Sequence, residues 1–332
     1  MKVWGIAPAV VALAAGGFSQ ELGESYRQVD SVDWVVRDLH GVVSGWRSLG
    51  FPAEVLGERV IQVGTESGRV GEERVLLGWG RWDRFRIVWI QPLAGGSLWS
   101  EGLRRRGEGV FSLNHACTGR EELDREAAEW RVKGVSVEGR VSWEQDPGGR
   151  HTVYLDTEPQ GRIRLALVIW DDGPEFPAGE LPAGLRSSQY AFVVRRLEPI
   201  SAVWEGWGWP AFDISYGPLR DLVHRGRPGR FEQRLGWQRH GDIVYEWIEP
   251  TRGPTVYEEA LAAHGEGFHH FAFDVPDMDA AIRHFTTRGY EVTQAGAWGE
   301  AGKPGSGRFA YIGTERLGGV TIELLWNFPG GN

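Results

Sequence analysis

Two ionisable side chains lie on segments that otherwise have the pattern of apolar strands. His270 is two residues from Ala272, and Glu323 is two residues from Leu325. Because successive side chains of a strand alternate between its faces, each polar group shares a face with a small or apolar neighbour. A carboxylate on such a face is costly unless it is paired or bound to a metal ion. This pattern makes His270 and Glu323 candidates for metal binding. Considered alone, however, Glu323 is better interpreted as a strand residue that faces the surface.

The last quarter of the chain contains the elements that must position these two residues. Residues 268–275 alternate and are rich in aromatic side chains, which predicts a strand. The segment 277–285 begins with a capping carboxylate, has apolar residues at helical spacing and stops at Gly289, which predicts a helix. Three further strand-like pieces follow, at 290–293, 307–312 and 319–326. The predicted order is strand, helix and three strands.

The same order recurs in segments that begin near Ser31, Ser112 and Ser188. We therefore predict an α+β fold of four βαβββ modules, paired two by two into two cupped mixed sheets. The 48 glycines in the chain fit many short strands joined by turns.

The chain also repeats itself at the level of short motifs. Trp89-Ile90-Gln91-Pro92 recurs 158 positions later as Trp247-Ile248-Glu249-Pro250, and Arg106-Gly107-Glu108-Gly109 recurs at the same offset as His264-Gly265-Glu266-Gly267. Self-similarity at a fixed offset indicates a tandem duplication. We place the two copies at residues 28–175 and 186–330. A linker rich in proline, glycine and acidic residues, 171–179, joins them.

Composition excludes several classes of function. The 332 residues carry 36 Lys and Arg against 45 Asp and Glu, a net charge of −9, so a non-specific nucleic-acid binder is disfavoured. The only cysteine, Cys117, cannot form an internal disulfide, and no Cys/His cluster has zinc-finger spacing. We expect a small-molecule substrate, no nucleic-acid or membrane partner for the mature chain, and a monomer or homodimer.

The first twenty residues have the layout of a secretory signal peptide. Lys2 precedes an apolar run of about a dozen residues and a small-residue exit at Gly16-Gly17. The run is shorter than the roughly 20 residues that a membrane-spanning helix needs. We therefore expect residues 1–20 to be a leader and the protein to be exported to the periplasm or outside the cell; the alternative is a packed N-terminal helix in a cytoplasmic protein.

The module order and two motifs together resemble the vicinal oxygen chelate superfamily, and within it the methylmalonyl-CoA epimerase and glyoxalase I branch. The motifs are Gly265-Glu266-Gly267-Phe268-His269-His270-Phe271-Ala272-Phe273 and the segment from Tyr311 to Leu325. The resemblance covers residues 186–330 well and 28–175 more faintly. It implies that two modules form one cupped sheet around a divalent metal, with ligands on the first and last strand of each module.

In the C-terminal pair, the resemblance implies a metal-ligand set of the glyoxalase I type, made of Gln189, Glu246, His270 and Glu323. One imidazole and three oxygens suit magnesium, manganese, iron, cobalt, nickel or zinc. His269 competes with His270, and strand alternation puts it on the opposite face, where we expect it to support His270 or to lie at the surface. In the N-terminal pair the equivalent residues are Ser31, Val88, Asn114 and Leu167, so we expect that pair to lack a metal. Asp33 and His115 lie near these positions but do not restore a ligand set.

A metal with open positions can hold two vicinal oxygens of a substrate and stabilise an enediolate or enolate as a Lewis acid. Glu246 or Glu323 would then act as the base, which predicts an isomerase or lyase of the glyoxalase type. Supporting polar residues are expected among Tyr245, Arg308 and Tyr311, with ordinary cross-strand pairing as their alternative role. An extradiol-type dioxygenase, which uses two histidines and one glutamate, is a second hypothesis that Gln189 weakens. The third is a non-catalytic binding protein.

The substrate is not identified by the sequence. Six tryptophans of the second copy either line an apolar pocket or belong to the core, and we favour the core: Trp204, Trp207, Trp209, Trp237, Trp247 and Trp298. Export and a CoA thioester substrate argue against each other, because CoA is expected inside the cell.

Overall fold

The computed structural model describes residues 22–64, 70–94, 96–143, 149–171 and 175–329. The expected leader, residues 1–20, lies outside these ranges, as do residues 172–174 of the expected linker. Among the described residues, no helix is long and apolar enough to cross a membrane.

The first half of the described chain contributes eight strands: β1 (Ser31–Val35), β2 (Glu54–Gly64), β3 (Val70–Trp82), β4 (Phe85–Pro92), β5 (Gly109–Ala116), β6 (Val137–Trp143), β7 (Arg150–Leu155) and β8 (Arg164–Trp170). The second half contributes ten: β9 (Arg186–Val193), β10 (Asp213–Ser215), β11 (Leu219–His224), β12 (Arg227–Pro228), β13 (Glu232–His240), β14 (Ile243–Arg252), β15 (Gly267–Asp274), β16 (Val292–Trp298), β17 (Gly307–Ile312) and β18 (Thr321–Asn327). Seven helices are described: α1 (Leu39–Ser48), α2 (Leu98–Arg106), α3 (Arg120–Val132), α4 (Glu158–Gly161), α5 (Leu197–Gly206), α6 (Val256–His264) and α7 (Met278–Thr286). Short 3-10 turns lie at Glu24–Arg27, Pro182–Gly184 and Glu315–Leu317.

The helix predicted over 277–285 is confirmed by α7. The Asp277 carboxylate accepts a hydrogen bond from the amide of Ala280 and so satisfies one of the free N–H groups of the first turn. Met278, Ala281 and Phe285 are buried at helical spacing against the sheet. The three strands predicted to follow are β16, β17 and β18, with β16 beginning two residues later than predicted.

The first half forms a closed barrel with the strand order β1-β4-β3-β2-β6-β7-β8-β5. Closure depends on the long strand β2, which pairs with β3 along its length and with β6 through Gln62 and Ser142. The predicted mixed sheet is therefore present, but it is curled until its edges meet rather than left as an open cup.

The second half forms an open ten-stranded sheet with the order β10-β13-β14-β9-β15-β18-β17-β16-β11-β12. The counterpart of β2 is broken at residues 216–218 into β10, which pairs with β13, and β11, which pairs with β16. The break contains Gly217-Pro218, and a proline cannot donate a ladder hydrogen bond. As a result, the second sheet is curled in the same way but remains open between β10 and β11.

The outer faces of the two sheets share one core that is rich in aromatic side chains. Trp34 of β1 packs against Phe271 of β15 with ring centroids 5.9 Å apart, and its indole N–H donates to the carbonyl of Gly318 at 2.6 Å. Four of the six tryptophans in question belong to this core, as favoured above: Trp204, Trp207, Trp209 and Trp247. Trp237 and Trp298 are only half-buried. Fully burying a large apolar side chain stabilises the fold by roughly 1.5–3 kcal/mol, so this core joins the halves firmly.

Candidate metal site

Three potential ligands meet on the inner face of the open sheet. One ligand atom from each of Glu246, His270 and Glu323 lies within 4.8 Å of the others, and all three side chains are buried. His270 Nε2 is 3.1 Å from Glu323 Oε2 and 3.6 Å from Glu246 Oε2. Within the described ranges, this is the single group of three or more His, Cys, Asp or Glu side chains with this spacing.

The fourth predicted ligand, Gln189, is in contact with this cluster. Its side-chain N–H donates to Glu246 Oε2 at 2.9 Å, and only 4% of the residue is exposed. The four residues come from four neighbouring strands at the centre of the sheet, in the order β14, β9, β15 and β18. Strand register accounts for the convergence, because Ala191 pairs with both Glu246 and His270, and Ala272 pairs with both Gln189 and Glu323.

Electrostatics at this cluster call for a cation. Burial raises the pKa of Glu246, and the charge of Glu323 raises it further. Although burial lowers the pKa of His270, the negative charges of Glu323 and Glu246 raise it to about 9. Without a metal, the charge that compensates the two acidic side chains would come from the His270 imidazole. A divalent ion supplies the same compensation to a neutral imidazole, so the donor set fits a hard-to-borderline metal.

His269 lies beside His270 rather than on the opposite face, and the prediction from strand alternation is wrong here. The register between β15 and β9 shifts between Phe268 and His270, which marks a β-bulge. The extra residue brings both imidazoles to the inner face, with the two Nδ1 atoms 2.8 Å apart. The ring of His269 contacts those of Tyr257 and Tyr311 at centroid distances of 5.6 and 6.0 Å.

Of the three supporting residues predicted, only Tyr311 is at the site. Its ring lies 5.0 Å from that of His270, and its hydroxyl accepts a hydrogen bond from the Tyr257 hydroxyl at 2.8 Å. Tyr245 lies in the shared core on the other face, and the exposed Arg308 pairs with Asp279. Tyr257 was missed because it belongs to α6, outside the strands that the module pattern singles out; its repeat counterpart, Trp99, is the available signal.

A cavity of about 430 Å³ lies at the break between β10 and β11. Its inner wall includes Leu222 and Phe231, which also pack in the apolar cluster on the inner face of the second sheet, together with the buried amide of Gln233. The same cluster contains Tyr257 and Tyr311. The cavity therefore borders the apolar cluster that contains two of the tyrosines near the candidate site.

The first half has no comparable ligand set among its described residues. In the repeat, Ser31 and Val88 are the residues equivalent to Gln189 and Glu246, as predicted. For the other two positions the strand register gives Ser112 and Ala166, which replace the predicted Asn114 and Leu167. His115 points away from the barrel interior and packs its ring on Tyr26, at 5.0 Å.

Part of the second half is similar to a known protein family. Residues 188–311 match the family model described as the Glyoxalase/Bleomycin resistance protein/Dioxygenase superfamily. The match includes Gln189, Glu246 and His270 and ends before Glu323. No curated protein sequence matches the chain.

Three enzymes are among the solved structures that match the chain. A mutant of 4-hydroxymandelate synthase from Streptomyces coelicolor has a TM-score of 0.57 at 19% identity, over 91% of this chain and 92% of that one. The Mn(II)-bound glyoxalase from Novosphingobium aromaticivorans has a TM-score of 0.46 at 15% identity, over 92% and 85%. Streptomyces coelicolor methylmalonyl-CoA epimerase in complex with 2-nitronate-propionyl-CoA has a TM-score of 0.32 at 20% identity, over 42% and 95%.

The first of these similarities extends over both halves and therefore shows the fold of the whole chain. The family match lies within the second half. Residues 188–311 are thus similar to the glyoxalase, bleomycin resistance protein and dioxygenase superfamily, and the chain as a whole has the fold of tandem vicinal oxygen chelate domains.

Proposed function

We propose that the C-terminal half is a divalent-metal-dependent enzyme, an isomerase or lyase of the glyoxalase type that acts on a small molecule with two vicinal oxygens. The observation that carries this proposal is the buried convergence of Glu246, His270 and Glu323, whose ligand atoms lie within 4.8 Å of one another. Buried carboxylates this close are costly in a purely structural role, because each must be desolvated next to a like charge.

The metal would be held by Glu246, His270 and Glu323, with Gln189 at the edge of the set. When bound, such an ion supplies Lewis acidity toward the two substrate oxygens. The residues themselves provide the rest of the site. Apolar side chains on the inner face, including Val193, Ile248 and Phe309, exclude water and so strengthen electrostatic interactions inside.

Proton transfer falls to the two glutamates. Gln189 donates a hydrogen bond to Glu246 Oε2 and so holds that carboxylate in place. Glu323 Oε2 is within hydrogen-bond distance of His270 Nε2. A carboxylate oxygen of either residue can accept the proton of a substrate carbon next to the vicinal oxygens and return it to the neighbouring position. This exchange consumes no oxidant, as an isomerisation or lyase reaction requires.

Elemental analysis of the purified protein and of a His270→Ala variant tests the proposal first. We expect about one divalent metal per chain in the wild type and its loss in the variant. Loaded protein is then screened with substrates that carry vicinal oxygens, in air and under nitrogen. No bound metal after manganese, nickel, zinc and ferrous iron have each been supplied would overturn the proposal and leave a small-molecule-binding protein.

Measuring oxygen consumption distinguishes the proposed isomerase or lyase from the alternative, a ring-cleaving dioxygenase. An isomerase or lyase turns over equally in air and under nitrogen, whereas a dioxygenase stops when oxygen is removed. Gln189 stands where the two-histidine, one-carboxylate set would need its second imidazole. We therefore expect turnover without oxygen uptake.

A further inference from the structure

His270 makes contacts through both of its ring nitrogens. Nε2 faces the carboxylates, 3.1 Å from Glu323 Oε2, and Nδ1 lies 2.8 Å from Nδ1 of His269. The ring is fully buried, so its orientation is set by these two contacts and by the packing of Tyr311. The contact at Nδ1 therefore helps to hold Nε2 toward the cluster.

Metal binding through Nε2 places a definite requirement on Nδ1. The nitrogen that binds a metal uses its lone pair, so a neutral imidazole must carry its proton on the other nitrogen. Nδ1 of His270 then becomes a buried donor that needs an acceptor, and His269 Nδ1 is within hydrogen-bond distance. His269 must accordingly carry its own proton on Nε2.

We infer that His269 is a positioning residue for the metal site: it accepts the hydrogen bond from His270 Nδ1–H and thereby holds His270 Nε2 toward Glu246 and Glu323. This inference rests on the proposed metal site and deepens it. A partner of this kind fixes the tautomer and orientation of a ligating imidazole and increases its basicity.

The local fold holds His269 in the required place. The bulge after Phe268 turns its side chain inward, and the rings of Tyr257 and Tyr311 pack around it. Only 9% of His269 is exposed, and it lies on the wall of a cavity of about 220 Å³ beside α6. The rings of Tyr257 and Tyr311 limit how far this imidazole can turn away from His270.

The first half of the molecule provides an internal comparison. The same bulge occurs between β1 and β5, where Phe111 stands in the place of His269 and Ser112 in the place of His270. Phe111 packs in the apolar interior of the barrel. The half without a ligating imidazole thus also lacks the hydrogen-bond acceptor, and it fills the same position with a ring that accepts none.

Two substitutions at His269 separate positioning from packing. His269→Phe copies the first half and removes the acceptor, whereas His269→Asn keeps an oxygen near the place of Nδ1. We expect the Phe variant to bind Mn²⁺ or Co²⁺ about 10–100-fold more weakly than the wild type in calorimetric titrations, and the Asn variant to recover most of that loss. The visible spectrum of the Co²⁺ protein should change in the Phe variant and resemble the wild type in the Asn variant.

A readout that needs no metal completes the test. Imidazole ¹⁵N spectra of the metal-free protein should show His269 protonated on Nε2 and unprotonated on Nδ1. Three outcomes would each overturn the inference about His269 but not the proposed function. They are equal metal affinity in the wild type and the Phe variant, equally weak affinity in the Phe and Asn variants, and a proton on His269 Nδ1. A wild type without metal affinity would overturn the proposed function and this inference together.

Discussion

Asp33 and Arg150 form a fully buried ion pair inside the first barrel, with Asp33 Oδ1 2.8 Å from Arg150 Nη1. Tyr154 donates a further hydrogen bond to the same carboxylate. The guanidinium lies between the rings of Trp143 and Trp170, at 5.3 and 5.0 Å from their centroids. This half therefore carries its own internal cation, where the second half is proposed to bind one from solution.

Arg150→Met should destabilise the protein strongly. The substitution leaves the Asp33 carboxylate buried without a counter-charge, which costs about 3–5 kcal/mol in comparable cases. Chemical denaturation followed by fluorescence measures the loss in the free energy of unfolding. Arg74→Met is the matched control, because Arg74 pairs with Glu58 at the surface and should lose less than about 1 kcal/mol.

Glu323→Gln should abolish metal binding and turnover while the fold survives. The substitution preserves shape but removes one of the two charges that face His270, so we expect metal affinity to fall more than about 100-fold, beyond the effect of an indirect partner. Equilibrium dialysis with Mn²⁺ gives the affinity, and circular dichroism checks the fold. Glu315→Gln, at an exposed carboxylate that accepts a hydrogen bond from Thr321, should leave metal binding unchanged. Activity within about twofold of the wild type would contradict the role of Glu323 as a base.

His115 should make the protein less stable as the pH falls from about 6.5 to about 4. Burial lowers the pKa of His115 to about 4, while hydrogen bonding with the Gln28 carbonyl opposes that shift. In the unfolded chain His115 is protonated as the pH falls below about 6.5, whereas in the folded protein it stays neutral until the pH nears about 4. The free energy of unfolding therefore decreases as the pH falls from about 6.5 to about 4. The loss is on the order of 3 kcal/mol. His115→Asn keeps a donor toward Gln28, and denaturation at pH 7 and pH 4.5 should show a smaller difference for this variant than for the wild type.

Leu222→Trp should slow access to the metal site without weakening it. Leu222 lies on the wall of the cavity at the break between β10 and β11. We predict that this cavity is the entrance to the inner face, so a larger side chain at this position would narrow it. We expect metal to enter and leave several-fold more slowly in stopped-flow measurements, with an unchanged dissociation constant. Val60→Trp, on the exposed part of β2 in the closed barrel, is the control. Equal rates in all three proteins would place the entrance elsewhere.

The duplication could be predicted because repeated motifs make the same contacts in both halves. The Gln91 side chain accepts from the amide of Leu39 at the start of α1, and Glu249 accepts from Leu197 at the start of α5. Each pair is related by the same offset of 158 residues. A shared register also explains why side chains taken from equivalent strands converge in space.

A β-bulge accounts for the error at His269. Alternation assigns His269 to the outer face because it assumes an unbroken strand, and one inserted residue reverses that assignment. The first-half equivalents of His270 and Glu323 are Ser112 and Ala166, whereas the predicted residues, Asn114 and Leu167, lie two residues and one residue further along. These two errors have another cause, because the sequence pattern alone does not fix the strand register. Closure of the first barrel was also beyond the sequence pattern, because it depends on a few pairs between β2 and β6.

Because of the break at residues 216–218, the two copies have different structural roles. The sealed barrel has its interior filled by side chains and braces the second sheet through the shared core. The second copy leaves the corresponding place unpaired, so loops there can lengthen or change composition without loss of strand pairing. The residues at this one rim can therefore change in descendants of the chain while the proposed ligands on β9, β14, β15 and β18 stay fixed.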